Sequence, residues 1–206
     1  MLTLDKVYHA AFTMKNVVRN TDLIYAPDIN PDCQIYLKTE NLQVTGSFKV
    51  RGAYYKMSQL SEEEKAHGVI ACSAGNHAQG VARAAMMGGI SAKICLPDSA
   101  PISKVEATKK YGAEVVLVNG AYDDAYKKAL DLQQEENRTF IHPFDDDDVI
   151  AGQGTIGLEL LDQLPDLDAV IVPIGGGGLI SGVAFVIKTL NPKCKVYGVQ
   201  ASGAPS

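Results

Sequence analysis

Beyond residue 68 the chain alternates short apolar runs with longer stretches in which apolar residues recur every three or four positions. The short runs predict strands at 69–72, 93–96, 114–118, 139–141, 169–174 and 195–200. The longer stretches predict helices at about 77–87, 103–111, 123–136, 149–164 and 179–190. Strands separated by helices of this length indicate parallel βαβ units with right-handed crossovers, so the fold class is α/β. Upstream, Val50, Ala53, Tyr54, Met57 and Leu60 fall at helical spacing, so another helix begins near Lys49. Ser61-Glu62-Glu63-Glu64 reads as a capping box opening a short helix that Gly68 ends. No internal repeat and no long flexible linker is visible.

A chain of 206 residues is long enough to bury a substantial core in one or two domains. Hydrophobic residues at 46% and charged residues at 21% are ordinary globular values. A net charge of −5 with no basic stripe argues against nucleic acid as a partner. No apolar stretch approaches the ~20 residues of a membrane span, and the first ten residues lack the basic-then-apolar order of a secretory signal. Cys33, Cys72, Cys95 and Cys194 lie far apart and form no CxxC, so neither a zinc site nor a disulfide framework is expected, and a reducing cytoplasm fits best. Cys72 and Cys95 sit in or beside strand patterns, where a thiol packs as a small hydrophobe.

The chemistry concentrates in four segments. Thr45-Gly46-Ser47-Phe48-Lys49 places a lysine where a Gly/Ser turn becomes a helix. The positive end of the helix dipole and any loss of water both disfavour its ammonium, pushing Lys49 towards the neutral amine that condenses with a carbonyl. Cys72-Ser73-Ala74-Gly75-Asn76-His77 follows one apolar run and opens a small-residue helix. Gly175-Gly176-Gly177-Gly178-Leu179 follows another and also opens a helix. Four successive glycines leave their N–H groups unobstructed and would be entropically costly for a mere turn, so they read as an anion cradle. His142-Pro143-Phe144-Asp145-Asp146 is the fourth segment. Gly152-Gln153-Gly154-Thr155-Ile156-Gly157 matches GxGxxG but lacks the strand that a dinucleotide fingerprint needs, so it reads as helix packing and an NAD-dependent oxidoreductase is set aside. The run Asp145 to Asp148 reads as a solvated loop.

In this order and spacing, the four segments resemble the pyridoxal-phosphate (PLP) enzymes of fold type II, with the closest likeness to the threonine dehydratases (threonine ammonia-lyases). The resemblance runs from about residue 5 to residue 201. It implies two parallel-sheet α/β domains with PLP between them, a smaller one at 42–140 inserted into a larger one formed by 1–41 and 141–206. Family members continue well past the point where this chain stops, so the larger domain is expected to be incomplete. By the same resemblance, Lys49 is the catalytic, PLP-linking amine, while Phe48 reads equally as a wall for the pyridine ring or as a core residue. Gly175, Gly176, Gly177, Gly178 and Leu179 hold the cofactor phosphate. Ser73, Ala74, Gly75, Asn76 and His77 hold the substrate carboxylate, with Asn76 also bonding the cofactor's ring oxygen. Asn76 reads alternatively as a helix cap, and His77 as a packed helix residue.

The activity implied is conversion of L-threonine to 2-oxobutanoate and ammonia, with L-serine as a secondary substrate. Isoleucine biosynthesis and threonine catabolism are both open, and the intact protein is expected to be a homo-oligomer. Two rivals stand beside it: a serine racemase, and a non-catalytic fragment of the family. Racemases place a serine where this chain has Ala74, and a methyl group cannot donate a proton. One departure from many relatives is Asn20-Thr21-Asp22-Leu23, where they read Arg-Thr-Pro-Leu.

Overall fold

The computed structural model describes residues 1–203. The chain opens with α1 (Leu4–Thr13), whose first turn is capped by the Thr3 hydroxyl accepting from the Lys6 N–H at 3.2 Å. Two three-residue strands, β1 (Leu23–Tyr25) and β2 (Tyr36–Lys38), pair antiparallel, and a 3-10 turn at Glu40–Leu42 follows. Next come α2 (Lys49–Ser58) and α3 (Glu62–His67), the latter carrying the reciprocal capping box on Ser61 and Glu64. Strands and helices then alternate: β3 (Val69–Cys72), α4 (Asn76–Gly88), β4 (Ala92–Pro97), α5 (Ile102–Lys109), β5 (Glu114–Val118), α6 (Tyr122–Glu135) and β6 (Thr139–Phe140). The chain continues through α7 (Asp147–Gln163), β7 (Ala169–Pro173), α8 (Gly178–Leu190) and β8 (Lys195–Val199). Every strand expected from residue 69 onward lies within one residue of its expected bounds, and every helix within two. The first 41 residues, for which no element was expected, hold α1 and the β1–β2 pair.

β3, β4, β5 and β6 form one parallel sheet in the order β5-β4-β3-β6. All residues of β3 and β4 are buried, because helices cover both faces. Val69, Ala71, Ile94 and Leu96 pack against Ala78, Val81, Ala82 and Ala85 of α4. On the opposite face, Ile70, Cys72 and Cys95 pack against Ala125, Ala129 and Leu132 of α6. Both cysteines are therefore small core residues, and burial pushes their thiols up to about 12 and about 11. β7 and β8 form a separate parallel pair covered on one side by α8. Their other side leaves Ile171 70%, Tyr197 50% and Val199 54% exposed. No helix among the described residues is long and apolar enough to cross a membrane.

The GxGxxG glycines serve helix contact. A Cβ on Gly152 of α7 would lie 2.6 Å from the Gly52 Cα and 2.7 Å from the Arg51 carbonyl oxygen, both in α2. A Cβ on Gly154 would meet the Gly182 carbonyl oxygen of α8 at 3.1 Å, and one on Gly157 the Val186 Cβ at 2.9 Å. α7 is thus pressed between α2 and α8 at near-backbone distance. The acidic run is a solvated loop only at Asp145, which is exposed. Asp146 caps α7 by accepting from the N–H groups of Asp148 and Val149, and Asp148 pairs with Lys6 at 2.7 Å and Lys56 at 3.2 Å.

Gly152→Ala must push backbone against backbone, where no side chain can swing away. A loss of about 2–3 kcal/mol is expected, at the upper end of overpacking costs. Gly175→Ala, whose Cβ meets nothing within 4 Å, is expected to stay within about 0.5 kcal/mol of the parent. Urea unfolding midpoints of the two variants, measured without added ligand, check the contrast.

Candidate active site

In the order β5-β4-β3-β6 the chain leaves β3 to build one side of the sheet, then returns to place β6 on the other. The crevice beyond the carboxyl ends of β3 and β6 is therefore a topological switch point, where open α/β sheets bind ligands. The loop after β3 is Ser73–Gly75, the loop after β6 is residues 141–146, and the loop after β7 is the tetraglycine segment. Chain topology alone therefore brings the first two of these loops to one crevice.

Lys49 is the first residue of α2, and its Nζ donates to the Pro143 carbonyl at 2.6 Å. It is partly buried, and that burial pushes its pKa down to about 8. Loss of water, one of the two effects expected from the sequence, thus favours the neutral amine. The Nζ also stands 5.5 Å from the centroid of the Phe48 ring. Phe48 itself is half-buried beside the cluster of Val172, Val183 and Ile187, which Leu179 and Ile180 also join. α4 comes close enough to α2 that a Cβ on Gly80 would sit 3.1 Å from the Lys49 carbonyl carbon.

Gly177 takes φ +85° as the N-cap of α8, a conformation that suits glycine, and Gly178 is the first helical residue. Phe144 wedges against this loop. A Cβ on Gly178 would lie 2.7 Å from the Phe144 carbonyl oxygen, and one on Gly176 would strike its ring. At Gly175 and Gly177 the space is open. The loop therefore presses on Phe144 at Gly176 and Gly178 and has room for a side chain at Gly175 and Gly177.

At the start of α4 the N-cap is Gly75, so the alternative reading of Asn76 as cap does not hold; Asn76 is the exposed first helical residue. The Ser73 hydroxyl accepts from the Gly75 N–H at 3.1 Å, which leaves its own proton to donate. Ala74 and Gly75 are half-buried beside it. The His77 side chain is buried, with Nε2 and the Ile141 carbonyl oxygen 2.9 Å apart. Burial pushes its pKa down to about 3, so it is a neutral packed imidazole and only its backbone N–H faces the helix start.

Residues 141–144 are thus the meeting point: Ile141 holds His77, Pro143 holds Lys49, and Phe144 abuts Gly176 and Gly178. Sequence reasoning assigned this segment no role, because two of its three contacts are made by backbone carbonyls, which leave no trace in residue type. It also missed Arg51, two residues past Lys49 and fully buried. Arg51 reaches Glu40 through Nε and Nη2 at 2.9 and 2.8 Å, and Glu159 through Nη1 and Nη2 at 2.6 and 3.0 Å. It also reaches Thr155 at 3.1 Å and the Arg19 carbonyl at 3.2 Å. Lys38 adds a second cation on Glu159 at 2.6 Å. Burial raises the Glu40 pKa, but the Arg51 hydrogen bonds and charge, with help from Thr21 and Lys38, outweigh it and hold the carboxyl below the usual range.

A buried amine that loses its proton near neutrality, an N–H cradle at a helix start and a second helix start with a free hydroxyl proton suit a phosphorylated aldehyde plus an amino acid. Comparisons agree. Residues 14–206 match the family described as pyridoxal-phosphate dependent enzyme. The chain is similar to an L-threonine ammonia-lyase of Thermotoga maritima, 54% identical over 208 residues, which cover 100% of this chain and 52% of that protein. The fold superposes on the processed form of threonine deaminase isoform 2 from Solanum lycopersicum with TM-score 0.92 at 42% identity, covering 99% of this chain and 62% of that one. It also superposes on maize serine racemase with TM-score 0.95 at 37% identity, covering 98% and 62%. The chain spans about half the length of the curated relatives it matches.

Lys49 is expected to react as an amine with a midpoint at about pH 8. Below that pH its ammonium is inert, and above it the free amine acylates. Site-resolved acetylation across pH 6–11 should show Lys49 turning on about two units before the exposed lysines, whose ordinary value is about 10.4.

Proposed function

The chain belongs to the pyridoxal-phosphate dependent enzyme family, and on that premise we propose that it carries the lysine-bearing part of an L-threonine ammonia-lyase. The whole protein would convert L-threonine to 2-oxobutanoate and ammonia, and L-serine to pyruvate less readily. The observation that carries this reading is Lys49, a half-buried amine shifted towards neutrality at a switch-point crevice, between one loop suited to a phosphate and another suited to a carboxylate.

When bound, PLP supplies an aldehyde for an amine and an electron sink for charge developing at the substrate Cα. The chain's own residues would do the rest. The backbone N–H groups of Gly175 to Gly178, with Leu179 at the start of α8, would hold the phosphate dianion. Phe48 would limit the ring on one side, and Asn76, exposed on the first turn of α4, would reach its oxygen. The Ser73 hydroxyl and the N–H groups from Ala74 to His77 would hold the substrate carboxylate. Lys49 would link the cofactor and then, released as a neutral amine, take the Cα proton, a task its burial favours. Residues 42–140, which contain the whole four-stranded sheet, would form the smaller unit, inserted into a larger one made of residues 1–41 and 141 onward.

Serine racemase is the second reading, supported by the superposition on the maize enzyme. Ala74 weighs against it, because a methyl group beside the crevice has no proton to deliver to the opposite face of a substrate.

Titration with PLP is expected to raise a visible absorbance band in the parent and none in Lys49→Ala. A band that survives the substitution would remove Lys49 from its role. Ala74→Ser is expected to introduce slow formation of D-serine from L-serine, measured by chiral chromatography. No D-serine above the parent's background would mean that Ala74 is not what separates the two activities.

A further inference from the structure

The segment after β6 is held by a side chain that the proposed mechanism does not use. His142 Nδ1 accepts from the backbone N–H of Asp145 at 2.8 Å and of Phe144 at 3.3 Å. Both partners can only donate, so Nδ1 must be the bare nitrogen and the ring proton sits on Nε2. An acceptor bonded to the N–H groups two and three residues ahead is the geometry that Asn and Asp use to close turns. Here a histidine closes it. Pro143 between them has no N–H to compete, and its ring fixes φ. The imidazole also meets the Phe144 ring edge to face, with centroids 4.7 Å apart, and lies 6.3 Å from Phe140.

We propose that His142 is a positioning residue whose Nδ1 locks the 142–145 turn and so sets the Pro143 carbonyl against Lys49 and Phe144 against the tetraglycine loop. The two site elements that must act on one ligand, the amine and the phosphate cradle, have this turn as their shared support. One acceptor nitrogen therefore fixes the contact that each of them makes with the turn. The inference rests on Lys49 being the cofactor-linking amine, but the lock itself exists without cofactor.

Such a lock opens with acid. A proton on Nδ1 turns an acceptor into a donor facing two N–H groups, and both bonds are lost. The groups that bear on His142 are Asp145 and Asp146 on its own turn, Lys49 from α2 and His77 from α4. Burial lowers its pKa most, the two aspartates raise it and Lys49 lowers it again, with the balance below the ordinary histidine value. A histidine shifted this way stabilises the fold fully above about pH 6.5, and the contribution fades as pH falls through its folded value.

The test uses cofactor-free protein and three variants. Asn puts an oxygen where Nδ1 stands, Gln puts its polar atoms out at the Nε2 position, and Leu has no acceptor. Hydrogen exchange of the Phe144 and Asp145 amides and the pH profile of Lys49 acetylation are measured for each. In the parent, amide protection is expected to fall about tenfold as pH drops below the histidine range. His142→Asn should keep the protection and flatten its pH dependence. His142→Gln and His142→Leu should lose it at every pH and move the Lys49 midpoint from about 8 towards the ordinary lysine value. Weaker PLP binding by about tenfold should accompany that loss.

Unchanged amide protection and an unchanged Lys49 profile in His142→Leu would overturn the proposal. So would nitrogen NMR of the parent placing the neutral ring's proton on Nδ1, a measurement that does not depend on any variant folding. If PLP fails to engage Lys49 at all, the functional reading falls, while the amide and acetylation data still decide the role of His142.

Discussion

The fork of Arg51 into Glu40 and Glu159 is the interaction on which the rest of the molecule depends. A guanidinium with no exposure must be paired in the fold, because removing one partner leaves an uncompensated charge out of water. Arg51 has two carboxylates, and Lys38 balances the second, so the group is neutral as a whole. Its members come from β2, the 3-10 turn, α2 and α7, the last 108 residues beyond Arg51. α2 cannot turn about its axis or slide along α7 without breaking the pairing. Since Lys49 lies one residue before the buried Val50 and two before Arg51, the position of the amine is set from the far side of its own helix.

The glycine crossings complete that constraint in a different currency of contact. Charge pairing sets the rotation of α2, whereas the absence of side chains at Gly52, Gly152, Gly154 and Gly182 sets how close α2, α7 and α8 lie. The Lys49 turn begins α2 and the tetraglycine turn begins α8, so the spacing of these helices across α7 is also the spacing of the two loops. Interior packing at this density does not deform gradually. Helix spacing therefore sets the frame of the candidate site, within which the 142–145 turn meets the amine and the tetraglycine loop.

Much of this was legible because burial writes strong patterns. β3 and β4 are covered on both faces, so their residues form continuous apolar runs that are hard to mistake. The helices of the four-stranded sheet show one apolar face, and Ser61 with Glu64 marks a helix start by side-chain chemistry alone. β1 and β2 have only three residues each and are half exposed, too little for a period of two to emerge. Lys49 and the tetraglycine loop stood out through residue type and position. Arg51 did not, because a charged residue inside an apolar helix face looks like an interruption until its partners, 11 residues before and 108 after, are brought beside it. The Pro143 carbonyl could not have been found, since every residue has one.

The uncovered side of β7 and β8 has a colloidal consequence. Ile171, Tyr197 and Val199 point away from α8, and among the described residues the pair has no third strand on either edge. A short parallel ribbon with an apolar face and free peptide groups along its edges is a template for another strand. Self-association of this chain should start there, driven by backbone pairing and apolar contact, with the net charge of −5 as the main opposing force. Added salt screens that charge and leaves the template intact, so the buffer that best quiets the chain's electrostatics is also the one in which it will keep least well.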